Sequence, residues 1–317
     1  MKLKPLIHLA YGIATFVPGV EKLNLKGTGG TDSARYCYSV WLRHLVMADQ
    51  HQLNADPQIV AELGPGDSIG IGLAALISGC DKYFAFDVVA YANIAKNLVI
   101  FTELVQLFQD RTPIPDEVEF PFVKPLLSNY DFPAHILNQR RLERALAPSR
   151  IAKIRDSIEN CQQQGSMIQY KAPWYDTSVV EREFVDMIYS QAVLEHVDDL
   201  VGTYKAMYSW LRPDGYISHE IDFKCHGTAD DWNGHWSHSD LMWKLMRGKQ
   251  AYLINREPHS THIKTLDTAG FEIVCDRKTQ SQSALDVDRL APQFQAISSE
   301  DLITSDTFIQ AVKEKHS

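Results

Sequence analysis

The first regular pattern in the chain is a short run of β-favouring residues, Gln58 to Leu63, which ends in Gly64-Pro65-Gly66-Asp67-Ser68. Ile69 to Ser78 is then small and apolar, as a buried helix would be, and Gly79 closes it. Lys82 to Val88 (KYFAFDV) predicts a second strand with Asp87 at its tip, and Ile94 to Phe108 carries apolar residues at helical spacing. Strand, glycine turn, helix, strand and helix in that order predict a parallel βαβ unit. Further strands are predicted at Ser166 to Tyr170, Phe184 to Tyr189, Tyr216 to Ile221, Phe271 to Cys275 and Thr307 to Val312. Helices from about Leu200 to Leu211 and near Ser260 to Ala269, the turn Arg212-Pro213-Asp214-Gly215 and the stop Gly270 separate the later strands.

Two stretches break this alternation. Thr112 to Gln164 is too long for an ordinary connection, and five prolines (Pro113, Pro115, Pro121, Pro125, Pro133) precede a charged helical stretch from Leu137 to Cys161. An inserted helical cap is expected there. Asp222 to about Pro258, rich in His, Trp and Gly, predicts a second insertion. Residues 1 to about 55 read as a helical preamble, with a Gly-Thr-Gly-Gly loop at Gly27 to Gly30 and a mixed aromatic and basic run from Ser33 to Leu45. Lys2 and Lys4 before the apolar run Pro5 to Val20 faintly resemble a secretory signal. His8, Gly12 and Pro18 interrupt the run and no small-x-small cleavage site closes it, so a packed helix or arm is expected.

Composition narrows the function classes. With 45% hydrophobic and 22% charged residues over 317 positions, the chain can bury a large core. A formal net charge of -9 and a pI near 5.7 provide no basic field for a phosphate backbone, so a nucleic-acid partner is disfavoured. No membrane partner is expected either, since no other apolar stretch is long enough to span a bilayer. The five cysteines are odd in number, widely spaced and without a CxxC pair, which fits a reducing cytoplasm better than a disulfide framework or zinc knuckle.

A glycine turn between strand and helix lets a ligand approach the backbone closely, and an acid about twenty residues later can accept both hydroxyls of a ribose. Glu62-Leu63-Gly64-Pro65-Gly66 and Asp87 supply both parts. The spacing departs from the GxGxxG of dinucleotide sites, because Gly70 falls one residue late and Asp67 would repel a diphosphate. Glu62 is positioned to meet a cationic ligand group instead.

VAELGPGDSIG, YFAFDV, DMIYSQAVLEHVDDL, WLRPDGYIS and AGFEIV, in this order, resemble the motif series of class I S-adenosylmethionine-dependent methyltransferases. The resemblance covers roughly residues 58 to 312 apart from the two insertions. It implies a doubly wound, Rossmann-like α/β fold whose seven-stranded sheet is mostly parallel with the last strand antiparallel, and S-adenosylmethionine as cofactor. Residues 1–55 would then be an arm closing over the cofactor, and 56–317 the methyltransferase domain with caps at about 112–164 and 222–258. By the same resemblance Glu62, Gly64, Pro65 and Gly66 would surround the methionine part and Asp87 the ribose. Ala172 and Pro173 would lie near the adenine, and Ser190 and Gln191 beneath the sulfonium. SARYCYSVWLRHL, SHEID and LINREP are also similar to a bacterial subgroup associated with surface polysaccharide or secondary-metabolite biosynthesis. In that subgroup an N-terminal arginine and aromatic close over the cofactor carboxylate, which points to Arg35 and Tyr36; an aromatic stripe of Tyr36, Tyr38 and Trp41 packing on the core fits the spacing equally.

Methyl transfer needs in-line positioning in a site that excludes water, and a hydroxyl acceptor is helped by a nearby base. Asp222 and His226 are the favoured base or orienter, followed by His219, which lies further inside its strand, and His196 of the LEHV segment. Trp232, His235, Trp236 and His238 have the mixed aromatic and hydrogen-bonding character that grips a sugar, and Arg256 could hold an anionic acceptor group. His219, Asp222, His226, His235 and His238 could also gather a divalent cation, but none shows a zinc-type helical spacing and no metal is expected. The reading that follows is O-methylation of a saccharide or similar small polar acceptor, with a homodimer left open. N-methylation of a small metabolite, a nicotinamide-dependent oxidoreductase and a non-catalytic cofactor-binding protein are the alternatives. A base-flipping methylase is disfavoured, because the fourth-strand tip reads Ser190-Gln191-Ala192-Val193.

Overall fold

In the computed structural model, residues 3–20, 30–90, 92–161, 163, 165–174, 177–283 and 285–314 are described. The Gly27-to-Gly30 loop lies outside these residues except for Gly30. The alternating pattern resolves into β1 (Ile59–Leu63), β2 (Lys82–Phe86), β3 (Ile168–Lys171), β4 (Val185–Gln191), β5 (Leu211–Asp222), β6 (Phe271–Gln280) and β7 (Thr304–Lys313). They form one sheet in the order β3-β2-β1-β4-β5-β7-β6. The first five pair in parallel, and β7 runs antiparallel to both neighbours. Arg212-Pro213-Asp214-Gly215, expected as a free turn, is a bulge within β5: the register slips between Val185 and Met187 and Asp214 adopts φ +65°.

Helices cover both faces. α2 (Ala34–Gln50), α3 (Gly70–Ile77), α4 (Ile94–Gln109) and α6 (Pro148–Glu159) bury Trp41, Phe101, Phe108 and Ile154 against Tyr83 and Tyr189. α7 (Leu200–Trp210) and α9 (His259–Ala269) bury Tyr204, Trp210 and Leu266 against Phe86 and Ile217 on the other face. Local chemistry sets their ends. Ser33, Asn93 and Asp199 cap α2, α4 and α7 by accepting from backbone amides, and Gly270 ends α9 in the left-handed conformation at φ +92°.

The structure redraws the expected arm and the first cap. α2 is a core helix, buried from Cys37 to Ala48: of the two guanidiniums in the run that reads as mixed aromatic and basic, Arg43 is hidden completely and only Arg35 reaches the surface. Arg43 donates to Ser39 and to the carbonyls of Pro115, Val123 and Pro125, pinning the proline-rich segment along α2. α1 (Leu3–Ala14) packs instead on α8 (Asp240–Arg247), where a side chain at Gly12 would collide with the Met246 carbonyl. The charged stretch 137–161 does not cap the strand tips. α6 belongs to the outer helical layer beside α4 and β3. α5 (Gln139–Ala145) sits below the sheet, its Arg141 bound to the Ala55 carbonyl and to Asp56 just ahead of β1. Among the described residues no helix is long and apolar enough to cross a membrane.

Candidate active site

The tips of β1, β2, β4 and β5 converge where a doubly wound sheet offers its crevice. Gly64 and Gly66 turn the chain out of β1 at φ +64° and +72°, a conformation in which a β-carbon is strained. Pro65 between them is buried. Asp87, at the tip of β2, accepts from the amides of Gly66 (3.2 Å), Val88 (2.7 Å) and Val89 (3.3 Å). Burial raises its carboxyl, and those three amides oppose the rise. Ala172 and Pro173 follow β3 beside it, and the Trp174 amide binds the Asp87 carbonyl. Residues 30–33 lie over the turn: the Thr31 carbonyl accepts from Ser68 and from Cys37.

Strand parity divides the remaining candidates. Tyr189 and Gln191 of β4 and Ser218, Glu220 and Asp222 of β5 alternate onto the α2 face, joined there by Glu62. Glu62 accepts from the hydroxyls of Tyr83 (2.5 Å) and Tyr189 (3.2 Å), and burial pushes its carboxyl up to about 8 against those hydrogen bonds. Gln191 donates to Glu220 and to the Lys124 carbonyl, while its own buried oxygen has no partner. Tyr36 faces the same group: burial, then the charges of Glu220, Cys37, Glu62 and Glu195, raise its hydroxyl. Asp222 binds His226 at 3.3 Å and Lys224 at 3.0 Å. Burial alone would raise the Asp222 carboxyl; the His226 hydrogen bond and the Lys224 charge outweigh it and hold it at about 2. His226 adopts φ +48° and its ring stands 5.1 Å from that of His196. Burial and the neighbouring His226 lower His196 to about 3.

Residues of opposite parity belong to the core. Ser190 and His219 form a 2.7 Å hydrogen bond and are fully buried, with His219 facing Tyr204 of α7. The side chains of His219 and Ser190, expected at the acceptor and beneath the sulfonium, therefore lie on the face away from Asp222 and Gln191, because one step along a strand exchanges faces. Three other candidates have partners within the protein. Trp236 is fully buried with Leu285, Leu290 and Leu302 and donates to the Arg256 carbonyl. Arg256 stacks on Trp243 and Phe294 and pairs with Asp240, leaving no fork for an anion. Arg35 forms a bidentate pair with Glu119 at 2.6 Å, clamping the start of α2 to the proline-rich segment. His238 is held by the Thr228 carbonyl and lies parallel to Trp243, whereas His235 is buried with its Nδ1 unpartnered. Trp232 borders an open cleft of about 620 Å³ with Asp222, Lys224 and His226.

Sequence reasoning missed Glu195. It is 2% exposed and neither carboxylate oxygen has a hydrogen-bond partner. Burial, followed by the charges of Glu220 and Asp222, raises its carboxyl. Asn255 fixes this loop by donating to the carbonyls of Leu194, Glu195 and Val197. Its one sequence signal is adjacency to His196 just past a strand tip.

A family model for a methyltransferase domain matches residues 144–218, from the end of α5 into β5. Over these residues the chain is similar to a methyltransferase domain, and its sheet has the Rossmann-like order of such domains, a class whose cofactor is S-adenosylmethionine. The fold resembles an S-adenosylmethionine-dependent methyltransferase from Methanosarcina mazei at 12% identity and TM-score 0.44, over 84% of this chain and 97% of the other. It also resembles a phosphoethanolamine N-methyltransferase from Haemonchus contortus (13%, 0.43, over 87% and 53%) and a methyltransferase from Mesorhizobium loti (12%, 0.39, over 81% and 90%). The likeness rests on the strand order and the family match. No curated protein matches the sequence. The crevice fits such a cofactor on its own chemistry: besides the Asp87 carboxylate, the buried Thr31 hydroxyl and Gln191 carbonyl oxygens lack partners.

Proposed function

We propose that the protein methylates a hydroxyl of a saccharide or another small polar metabolite. The observation that carries this reading is the Asp222–His226 pair, set at the strand tips beside His196 and opening onto the cleft bordered by Trp232. Asp87, the Gly64-Pro65-Gly66 turn, Ala172, Pro173, Gln191 and Tyr36 would hold the cofactor, whose sulfonium supplies an activated methyl group. Glu62 would shape this wall through its two tyrosines. Asp222, kept ionised by its neighbours, accepts a hydrogen bond from Nε2–H of His226 and fixes the ring. His226 then presents its other nitrogen to the acceptor hydroxyl. Residues 112–126 and 222–258 would wall the acceptor side and exclude water, with His235 and Trp232 lending polar and aromatic surface. The five free cysteines agree with a reducing compartment.

The test is mass spectrometry of the purified protein for retained S-adenosylhomocysteine, followed by its production from S-adenosylmethionine over a panel of sugars and amines. Turnover with a hydroxyl acceptor is expected. Turnover confined to amines, or no binding of S-adenosylhomocysteine, would overturn the reading.

A further inference from the structure

Glu195, His196 and His226 come from two separate strand exits, yet one ligating atom of each lies within 4.8 Å of the others. A protein interior rarely leaves a carboxylate without a partner, and both oxygens of Glu195 have none. The Nδ1 of His196 is likewise buried and unpartnered. The imidazole of His226 is steered from behind. Asp222 lies 3.3 Å from Nε2 of His226, which leaves Nδ1 of that ring as the lone-pair nitrogen. Carboxylate or carbonyl support behind a histidine is the outer shell that metal sites use to fix tautomer and direction. The backbone is bent to the same end: His226 adopts φ +48° ahead of Gly227 at φ +85°, and Asn255 holds the Glu195 loop by three hydrogen bonds.

We propose that Glu195, His196 and His226 bind a divalent first-row cation, and that this cation receives the acceptor through two neighbouring oxygens, as a vicinal diol would provide. The proposal rests on the methyltransferase reading and deepens it: His226 meets the acceptor through the ion, and Asp222 is a positioning residue. One carboxylate and two imidazoles leave open coordination positions, and an ion there lowers the pKa of a bound hydroxyl. In the balanced step the acceptor hydroxyl gives its proton to solvent and its oxygen bonds the methyl carbon. The carbon–sulfur bond breaks with its electron pair retained by sulfur, giving a methyl ether and S-adenosylhomocysteine. Spacing along the chain conceals the set, because two ligands are adjacent and the third is thirty residues away by number (196 and 226).

The test is titration of the full-length, chelator-stripped protein with Co²⁺, followed by its visible absorption and by calorimetry. One equivalent is expected, with affinity reduced at least about tenfold in Glu195→Gln and His226→Ala, and about 10- to 100-fold in Asp222→Asn through the lost outer support. Added Co²⁺ should raise the Tm of the native protein and leave that of Glu195→Gln unmoved, so a folded variant reads out even without activity. No absorption change and no heat, or unaltered affinity in Glu195→Gln, would overturn the site. S-adenosylhomocysteine binding by the stripped protein is measured alongside: if it persists while Co²⁺ fails to bind, only the cation is lost; if it is absent, the methyltransferase reading itself falls.

Discussion

The last turns of β4 and β5 carry nearly the same chemistry on both faces, and the two faces have different fates. Toward α7, Ser190 and His219 share a hydrogen bond and are sealed by Tyr204, with Nε2 of His219 left unpartnered in the core. Toward α2, Gln191, Glu195 and His196 retain unpartnered oxygens or nitrogens, and Asp222 on the same face lines open space. Burial alone therefore does not distinguish a catalytic histidine from a packed one. What separates them is access: Asp222 and His226 line an open cleft, whereas His219 is enclosed on every side.

The sharpest break of this contrast would come from the rim. His226→Ala and Asp222→Asn are expected to lower turnover by about 10²- to 10⁴-fold in initial-rate assays while calorimetry shows unchanged S-adenosylhomocysteine affinity. Trp236→Ala should cost about 3–5 kcal/mol in denaturant unfolding, as removal of a fully buried indole does, whereas Trp232→Ala should alter acceptor KM with little effect on stability. Asp87→Ala should weaken cofactor binding by about 1–3 kcal/mol by calorimetry, the scale of lost charged hydrogen bonds. On the sealed face, His219→Phe leaves the Ser190 hydroxyl unpartnered and should cost about 1–3 kcal/mol of stability with turnover unchanged; a rate loss matching that of His226→Ala would erase the distinction.

The most gradual effect concerns Glu62. Its carboxyl rises in the folded protein from the ordinary 4.5 to about 8, so the native state keeps a proton that the unfolded chain releases. Stability should fall as pH rises through that window, by at most about 1.4 kcal/mol per pH unit from this group. Glu62→Gln should flatten the fall relative to the native protein in urea midpoints measured across the window. Identical slopes in both proteins would remove the buried acid from that account.

Most of the sheet was legible, because each strand core is a continuous apolar run and each glycine or capping residue stops an element within a few positions. The order VAELGPG, YFAFDV and SQAVLEHV also located the crevice. Less legible was anything set by orientation. Ser190 and Gln191 are neighbours in sequence and lie on opposite faces, a difference that follows from register with β5 and His219. Arg256 and Arg35 advertise guanidinium chemistry, and only the fold reveals that Asp240 and Glu119 consume it. The helical stretch after Pro133 looked like an insertion because the proline-rich detour before it disguises α6 as something other than the crossover into β3. Glu195 escaped notice since a lone acid beside a histidine carries no periodic signal.

The position of β7 between β5 and β6 has a consequence for biosynthesis. Until residues 304–313 have left the ribosome, β5 and β6 each present an unpaired edge, and the two cannot dock on one another in the native order. The α/β portion up to β5 can assemble as it emerges, but the sheet is sealed only by a strand threaded in afterwards. A stalled or truncated nascent chain would thus expose two sticky borders at once, which makes this late insertion the step at which chaperone protection matters most.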